Sequence, residues 1–219
     1  MKQIIIFGTG QTSEAVSHYF ETIGNIKIAA YCIDGDYITS DKFMKRPVIS
    51  VEDISKEFNN EYYDIFVAIA YSKLNKIREE KLLNLQKLGY KAINFIHPDS
   101  YIVKANFKGE NILILEKNVI QPNVTIGNNT YVWSGNHIGH HTQIGSNCYI
   151  SSHVVISGST TIGDNSFIGV NATIRDNISI GNNNIIGARS LIMKDTDEHS
   201  VFQEKGTEKS KVKSFRISI

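Results

Sequence analysis

The sequence predicts an α/β fold: a small Rossmann-like N-terminal domain followed by a left-handed parallel β-helix built from hexapeptide repeats. Three observations predict it. Strand and helix signals alternate from KQIIIF to KAINFI, the stretch GTGQTSE lies between a strand and a helix, and from residue 114 isoleucine recurs at every sixth position. Strands separated by helices mean a parallel sheet with right-handed crossovers, whereas a six-residue period means short sides that turn and stack. The expected division is 1–98 for the α/β domain, 99–195 for the β-helix and 196–219 for a C-terminal tail, with His97-Pro98 closing the first part.

In the first part, KQIIIF, IKIAAYCID, YDIFVAIA and KAINFI read as strands, and QTSEAVSHYFETIG and VEDISKEF as helices. The clearest helix is expected over 73–88, where Leu74, Ile77, Leu82, Leu85 and Leu88 recur near a 3.6 period and Gly89 provides a stop. Gly8 and Gly10 of GTGQTSE would bring backbone amides close to a diphosphate at a helix N-terminus. Ser13 replaces the third glycine of a dinucleotide fingerprint, and fewer than 100 residues leave little room for a nicotinamide. Asp34, just past the second strand, stands where a ribose or base contact would sit, although an acidic residue there is also a common turn former.

In the second part, positions 114, 120, 126 and so on to 192 are all Ile except Val132. Two residues before each stands a mostly small or β-branched residue such as Val124, Thr142, Cys148 or Ala172. Three hexads make a triangular coil, the aliphatic side chain points inward, and stacked coils bury a column that no single coil could bury. Residues one coil apart therefore stack, about 4.8 Å from each other. One corner then reads Gly127-Asn128-Asn129, Gly145-Ser146-Asn147, Gly163-Asp164-Asn165 and Gly181-Asn182-Asn183, and is expected to be a plain corner in solvent. A second face stacks Tyr131, Tyr149, Phe167 and Ile185; this outward aromatic ladder suggests a subunit interface, with packing under the tail as the competing reading. The remaining corner is irregular: Pro122-Asn123, Gly139-His140-His141, Ser157-Gly158-Ser159, Arg175-Asp176-Asn177. Stacking puts His140 beside Gly158, a proton acceptor next to a backbone amide that no side chain shields, which suits acyl transfer.

Composition narrows the partners. The chain has 23 Lys+Arg and 22 Asp+Glu, well mixed, for a formal net charge of +1, which offers no field to recruit nucleic acid or an anionic membrane. No stretch approaches the roughly 18 apolar residues that a membrane helix requires. Cys32 and Cys148 are far apart with no C-x-x-C spacing, and MKQIIIFGTG is too short an apolar run for a signal peptide, so the expectation is a cytoplasmic, reduced protein.

The other histidines have plain readings. His137 and His153 are outward, His18 and His199 carry no constellation, and His97 is read as structural at the junction. His137, His140 and His141 point in different directions on a strand and corner, so one chain is not expected to converge three ligands on zinc, and no metal is expected.

GTGQTSE near the start, IDGD after the second strand and GNHIGHHTQIG in the coil resemble the bacterial sugar acyltransferases of the NeuD and PglD type. The resemblance implies a homotrimer that moves acetyl from acetyl-CoA to a nucleotide-linked amino sugar in lipopolysaccharide or capsule biosynthesis. It implies His140 as general base, the Gly158 amide as oxyanion donor, and Tyr149, Gly158, Val170 and Ala188 along the cofactor. It places the nucleotide sugar on Gly8, Gly10, Gln11, Thr12, Asp34, Gly35 and Ala70. Three departures stand out. His141 occupies the place of a glutamate that raises the base's proton affinity, Tyr149 replaces a second histidine, and the tail VFQEKGTEKSKVKSFRISI lacks the usual G-x-P-A-K. His141 is therefore a candidate helper, and the sequence leaves open O-acetylation of a sugar or sialic acid and, from another class, a zinc-dependent carbonic-anhydrase-like or non-catalytic β-helix trimer.

Overall fold

The computed structural model describes residues 3–217. Strand β1 (Gln3–Phe7) is the fourth of the five strands of the N-terminal sheet, whose order is β3-β4-β2-β1-β5. It pairs in parallel with β2 (Ile28–Ile33) and β5 (Tyr63–Val67), and β2 pairs in parallel with β4 (Arg46–Ser50). Covering on both sides explains why β1 is an unbroken run of buried Ile4, Ile5, Ile6 and Phe7 rather than an alternating strand. Helix α1 (Gln11–Thr22), the single turn α2 (Ile54–Glu57) and α3 (Lys76–Lys87) supply the crossovers.

Three local readings change. Strand β4 is absent from the strands expected; its Pro47 faces only the two-residue antiparallel β3 (Lys42–Phe43) at the sheet edge, where its missing N–H is tolerated. The helix expected from residue 73 starts at Lys76, since Lys73, Leu74 and Asn75 are all left-handed, with φ of 48, 54 and 65°. KAINFI is divided: Ala92 bridges Ile65 at the edge of the sheet, whereas Phe95–Ile96 pairs with Leu113–Ile114 and is already part of the second architecture.

That architecture is a triangular prism of two-residue strands forming three parallel sheets. The register is one coil throughout, as in Val119↔His137↔Val155, Thr125↔Gln143↔Thr161 and Tyr131↔Tyr149↔Phe167. Ile114, Ile120, Ile126, Val132, Ile138 and their successors form one buried column. The small residues two places earlier do more than fill space. Thr130, Thr142, Thr160 and Ser166 donate to the corner carbonyls of Gly145, Ser157, Arg175 and Gly181, so the turns inside each corner are tied down by side chains buried with the column. Cys148 belongs to this series, its thiol 3.2 Å from Gly163 O and pushed up to about 12 by burial.

The two parts lock through Arg78, which is fully buried yet forms no ion pair with a carboxylate of the described residues. Carbonyls take the place of water around it: Nη1 donates to Ala70 O (2.7 Å) and Ile69 O (3.2 Å), and Nη2 to Cys148 O (3.1 Å) and Asn129 O (3.2 Å). The guanidinium also lies 4.3 Å from the ring centre of Tyr131. Around it, Asn111, Asn129 and Asn147 form a buried amide ladder, Nδ2 to Oδ1 at 2.7 and 2.8 Å.

Two expectations are corrected here. The glycine–asparagine corner is not a plain solvent corner, because the N-terminal domain buries its third residue in successive coils. The aromatic ladder, read as a subunit interface or a seat for the tail, packs at Tyr131, Tyr149 and Phe167 against that same domain. Tyr131 stacks on Phe66 and its hydroxyl donates to Val67 O, while Tyr71 packs against Tyr149 and Phe167 at 5.0 and 4.8 Å. The exposed apolar strip lies on the third face, where Tyr101 (70% exposed), Val119 (37%), Val155 (39%) and Leu191 (60%) point outward.

Arg78→Met is expected to destabilise by at least about 3 kcal/mol, because it leaves several buried carbonyls unpaired. Denaturant unfolding measures the loss, and amide exchange should quicken first in the loop 69–72 that Arg78 holds.

Candidate active site

The irregular corner joins the third face, at His137–Ile138, to the face of Thr125, Gln143 and Thr161. Gly139 lets the chain pass tightly over the next coil, since a Cβ there would collide with Gly158 N. Gln121 accepts the His140 amide N–H at 2.9 Å. The imidazole of His140 then lies over Gly158, where a Cβ would sit 2.8 Å from Cε1 and 2.9 Å from Nε2. The stacking expected from the sequence is thus a contact in the fold.

The neighbouring corner explains why the Gly158 N–H is left as a donor. There, the second residue's amide is capped by the side chain one coil above: Glu110 by Asn128, Ser146 by Asp164, and Asp164 by Asn182, at 2.7–2.8 Å. Above Gly158 stands Asp176, whose carboxylate instead accepts from Asn177 Nδ2 and faces Arg175. Among the described residues the Gly158 N–H has no partner. An uncapped amide donor beside an exposed imidazole is a pairing able to stabilise an oxyanion while moving a proton.

His141 adopts a left-handed conformation, φ 60°, in a position that Asn123 and Asn177 take in other coils of the same corner. Its Nδ1 is 3.1 Å from His140 Nδ1, the rings are 83° apart, and its Nε2 is 3.0 Å from Asn123 Nδ2. Asn123 and Gln121 are not among the residues expected from the sequence, although the coil register alone puts Asn123 under His141.

A groove runs along the edge between the second and third faces. Tyr149, Val170 and Ala188 line a cavity of about 320 Å³ with Tyr71, Trp133, Ser151 and Phe167. Through Tyr71, Trp133 and Tyr149 it joins a second cavity of about 430 Å³, whose far wall is Gln11, Thr12, Ala70 and Ser72. This wall is the first turn of α1 and the segment just after β5, the place where the parallel sheet reverses direction and ligands enter such sheets. Gly10 opens α1 with free space around its α-carbon. Gly8 serves the packing instead. At φ +124° a Cβ on it would sit 3.1 Å from Ala68 O, and Ser13 Oγ donates to its carbonyl, which accounts for the serine in the fingerprint's third place. Trp133, Tyr71 and Ser151 are further wall residues that the sequence reading omits; the tryptophan, alone of its kind in the chain and at a repeat corner, was the available signal.

The structure does not bring every expected residue together. Asp34 is held by Lys81 Nζ at 2.8 Å and the Gly35 N–H donates to Glu52, so this turn caps the sheet beside the groove without lining it. His97 is buried edge-on against Tyr19, its Nδ1 accepting from the Asp99 N–H. His153 lies over Gly135, His137 is half-buried on the third face, and His18 and His199 are exposed. Burial raises the Tyr149 phenol above its usual range, which keeps it a neutral donor. Among the described residues no three His, Cys, Asp or Glu side chains converge as a metal site, and no helix is long and apolar enough to cross a membrane.

Repeat and fold together define the class. Residues 123–158 and 159–194 match the bacterial transferase hexapeptide (six repeats), and the molecule is a hexapeptide β-helix of the left-handed kind carrying an N-terminal α/β domain. Among solved structures it is similar to perosamine N-acetyltransferase from Caulobacter crescentus, a histidine-to-asparagine variant in complex with CoA and GDP-perosamine (20% identity, 92% of this chain and 93% of that one, TM-score 0.82). It is also similar to the acetyltransferase domain of PglB from Neisseria gonorrhoeae (24%, 92% and 96%, 0.79) and to WeeI from Acinetobacter baumannii (20%, 92% and 96%, 0.76). No curated protein sequence matches it significantly.

Gly158→Ala should leave the prism intact and displace the His140 ring, because the three nearest atoms a methyl would meet belong to that movable side chain. Gly139→Ala, whose new methyl meets backbone, should destabilise the coil itself. Thermal melts compared with histidine ring shifts separate the two effects.

Proposed function

We propose that this protein is an acetyl-CoA-dependent N-acetyltransferase acting on a nucleotide-linked amino sugar in surface-glycan biosynthesis. The observation that carries the reading is the His140 imidazole lying over the uncapped Gly158 amide. A fold shared along both domains with a protein that binds CoA and GDP-perosamine supports the same substrate classes. The two joined cavities suit them: the aromatic and small residues Tyr149, Val170 and Ala188 for the thioester arm, and the α1 N-terminus at Gly10, Gln11 and Thr12, with Ala70, for the nucleotide sugar.

The amine nitrogen attacks the thioester carbonyl while His140 Nε2 takes its proton, a contribution of about 10²–10⁴ in rate. The Gly158 N–H donates to the oxyanion of the tetrahedral intermediate, worth roughly 10²–10³. Collapse breaks the C–S bond, and the thiolate leaves with the proton from His140. No covalent enzyme intermediate enters, and Cys148 is fastened in the core.

His140 and the groove lie on different edges of one prism, separated by the third face. A second copy packed on that face would bring the His140 corner of one chain to the groove of the next, and its exposed Tyr101, Val119, Val155 and Leu191 are apolar enough to be buried. A cyclic homotrimer closes three such contacts.

Free-thiol release from acetyl-CoA, measured with nucleotide-linked amino sugars and with free sialic acids, tests the reaction. Release with the amino sugar is expected, and release with sialic acid alone would transfer the assignment to O-acetylation. His140→Ala should abolish turnover while light scattering still reports a trimer; near-normal turnover rejects the base. Leu191→Asp should dissociate the assembly and lose activity with it, and an active monomer would reject the shared site.

A further inference from the structure

We propose that Asn123 and His141 form a relay of neutral groups that fixes the tautomer of His140. The inference rests on the reading of His140 as the base. A histidine that accepts a proton at Nε2 must carry its own proton on Nδ1, and something must hold it there; a carboxylate commonly does so. Here the partner of His140 Nδ1 is His141 Nδ1 at 3.1 Å, and the partner of His141 Nε2 is the Asn123 carboxamide at 3.0 Å. The three side chains occupy two successive levels of the same corner, and the backbone beneath them is fixed by the His141 N–H donating to Pro122 O at 3.1 Å.

A neutral imidazole has one N–H and one accepting nitrogen, so a chain through two of them has only two directions. If Asn123 donates its amide N–H to His141 Nε2, His141 holds its proton on Nδ1 and gives it to His140 Nδ1, which leaves the proton of His140 on Nε2 and blocks the base. If Asn123 instead presents Oδ1, His141 donates Nε2–H to it, His140 donates Nδ1–H to His141, and the His140 Nε2 lone pair is free. The two directions differ by a half-turn of the carboxamide, whose O and N atoms are interchangeable in shape. Among the described residues Oδ1 accepts no hydrogen bond, so the half-turn breaks none. The working direction is the second, with Asn123 as acceptor.

This relay differs from a carboxylate in its charge. The amine's N–H bond breaks as Nε2–H forms on His140, and the resulting positive charge is shared when the Nδ1 proton shifts toward His141. The pair goes from zero to plus one, and the proton on Nε2 then leaves with the thiolate sulfur. Asn123 and His141 are positioning residues; only His140 meets the reacting atoms.

Nitrogen-15 spectra of protein labelled at histidine, recorded without substrate at a pH where the imidazoles are neutral, test the relay. The His140 signals are assigned by their loss in His140→Gln. In the wild type His140 should show a protonated Nδ1 and a bare Nε2. Asn123→Gly and His141→Gly, both compatible with a left-handed backbone, should move it to the Nε2–H form that predominates in a free neutral histidine side chain. Asn123→Asp, which can only accept, should restore the wild-type tautomer. In acetyl transfer the two glycine variants should lose at least about tenfold in kcat with the sugar KM unchanged. A wild-type His140 protonated on Nε2, or a tautomer unmoved in both glycine variants, overturns the proposal. The spectra require no substrate, so failure of the relay and failure of the acetyltransferase reading are separate results.

Discussion

A strand of two residues has almost no freedom to choose its neighbours. Once Ile138 is seated between Ile120 and Ile156, the corner that follows must pass directly over the corner one coil before it. The buried column enforces that register at every level, and slipping by one residue would turn the isoleucines out to water. The His140 ring over Gly158, the His141–Asn123 contact, the amide ladder and the aromatic ladder are all the same displacement of one coil, applied at different corners. Chemistry here is placed by a packing rule rather than by a flexible loop.

The second constraint is the cover over one face. Arg78 is a charge with no carboxylate partner among the described residues, surrounded by carbonyls from both domains. Its nearest elements include the left-handed turn at Lys73, Leu74 and Asn75, whose conformational cost is offset by Asn75 Oδ1 accepting from Arg78 at 3.1 Å. The turn and the guanidinium together hold Ala70 and Tyr71, which wall the groove. The floor of the groove thus comes from the prism and its rim from the α/β domain, with one buried side chain setting the distance between them.

Much of this is legible in the chain because the register is strict. The inward residues, the three faces and the closeness of His140 to Gly158 follow from counting. The same arithmetic pairs Asn123 with His141, a partner that attention to histidines alone passes over. What counting does not reveal is which face is covered and by what. Tyr131, Tyr149 and Phe167 announce an apolar face, yet a neighbouring domain and a neighbouring subunit demand the same residue types. Arg78 is invisible for a related reason: an arginine among Lys76, Glu79, Glu80 and Lys81 looks like one more solvated helix residue. The start of the helix at residue 76 rather than 73 and the strand containing Pro47 depend on tertiary contacts that override local preference.

The covered ladder also bears on whether the two halves are separable modules. Stripped of its α/β domain, the prism would present Tyr131, Tyr149 and Phe167 as a flat aromatic sheet surface, together with a row of amides and carbonyls that Arg78 otherwise satisfies. Such a surface invites face-to-face association between copies. The N-terminal domain therefore acts as a solubility cap as well as a wall of the groove, and exchange of that domain between related proteins would have to carry the matching ladder with it.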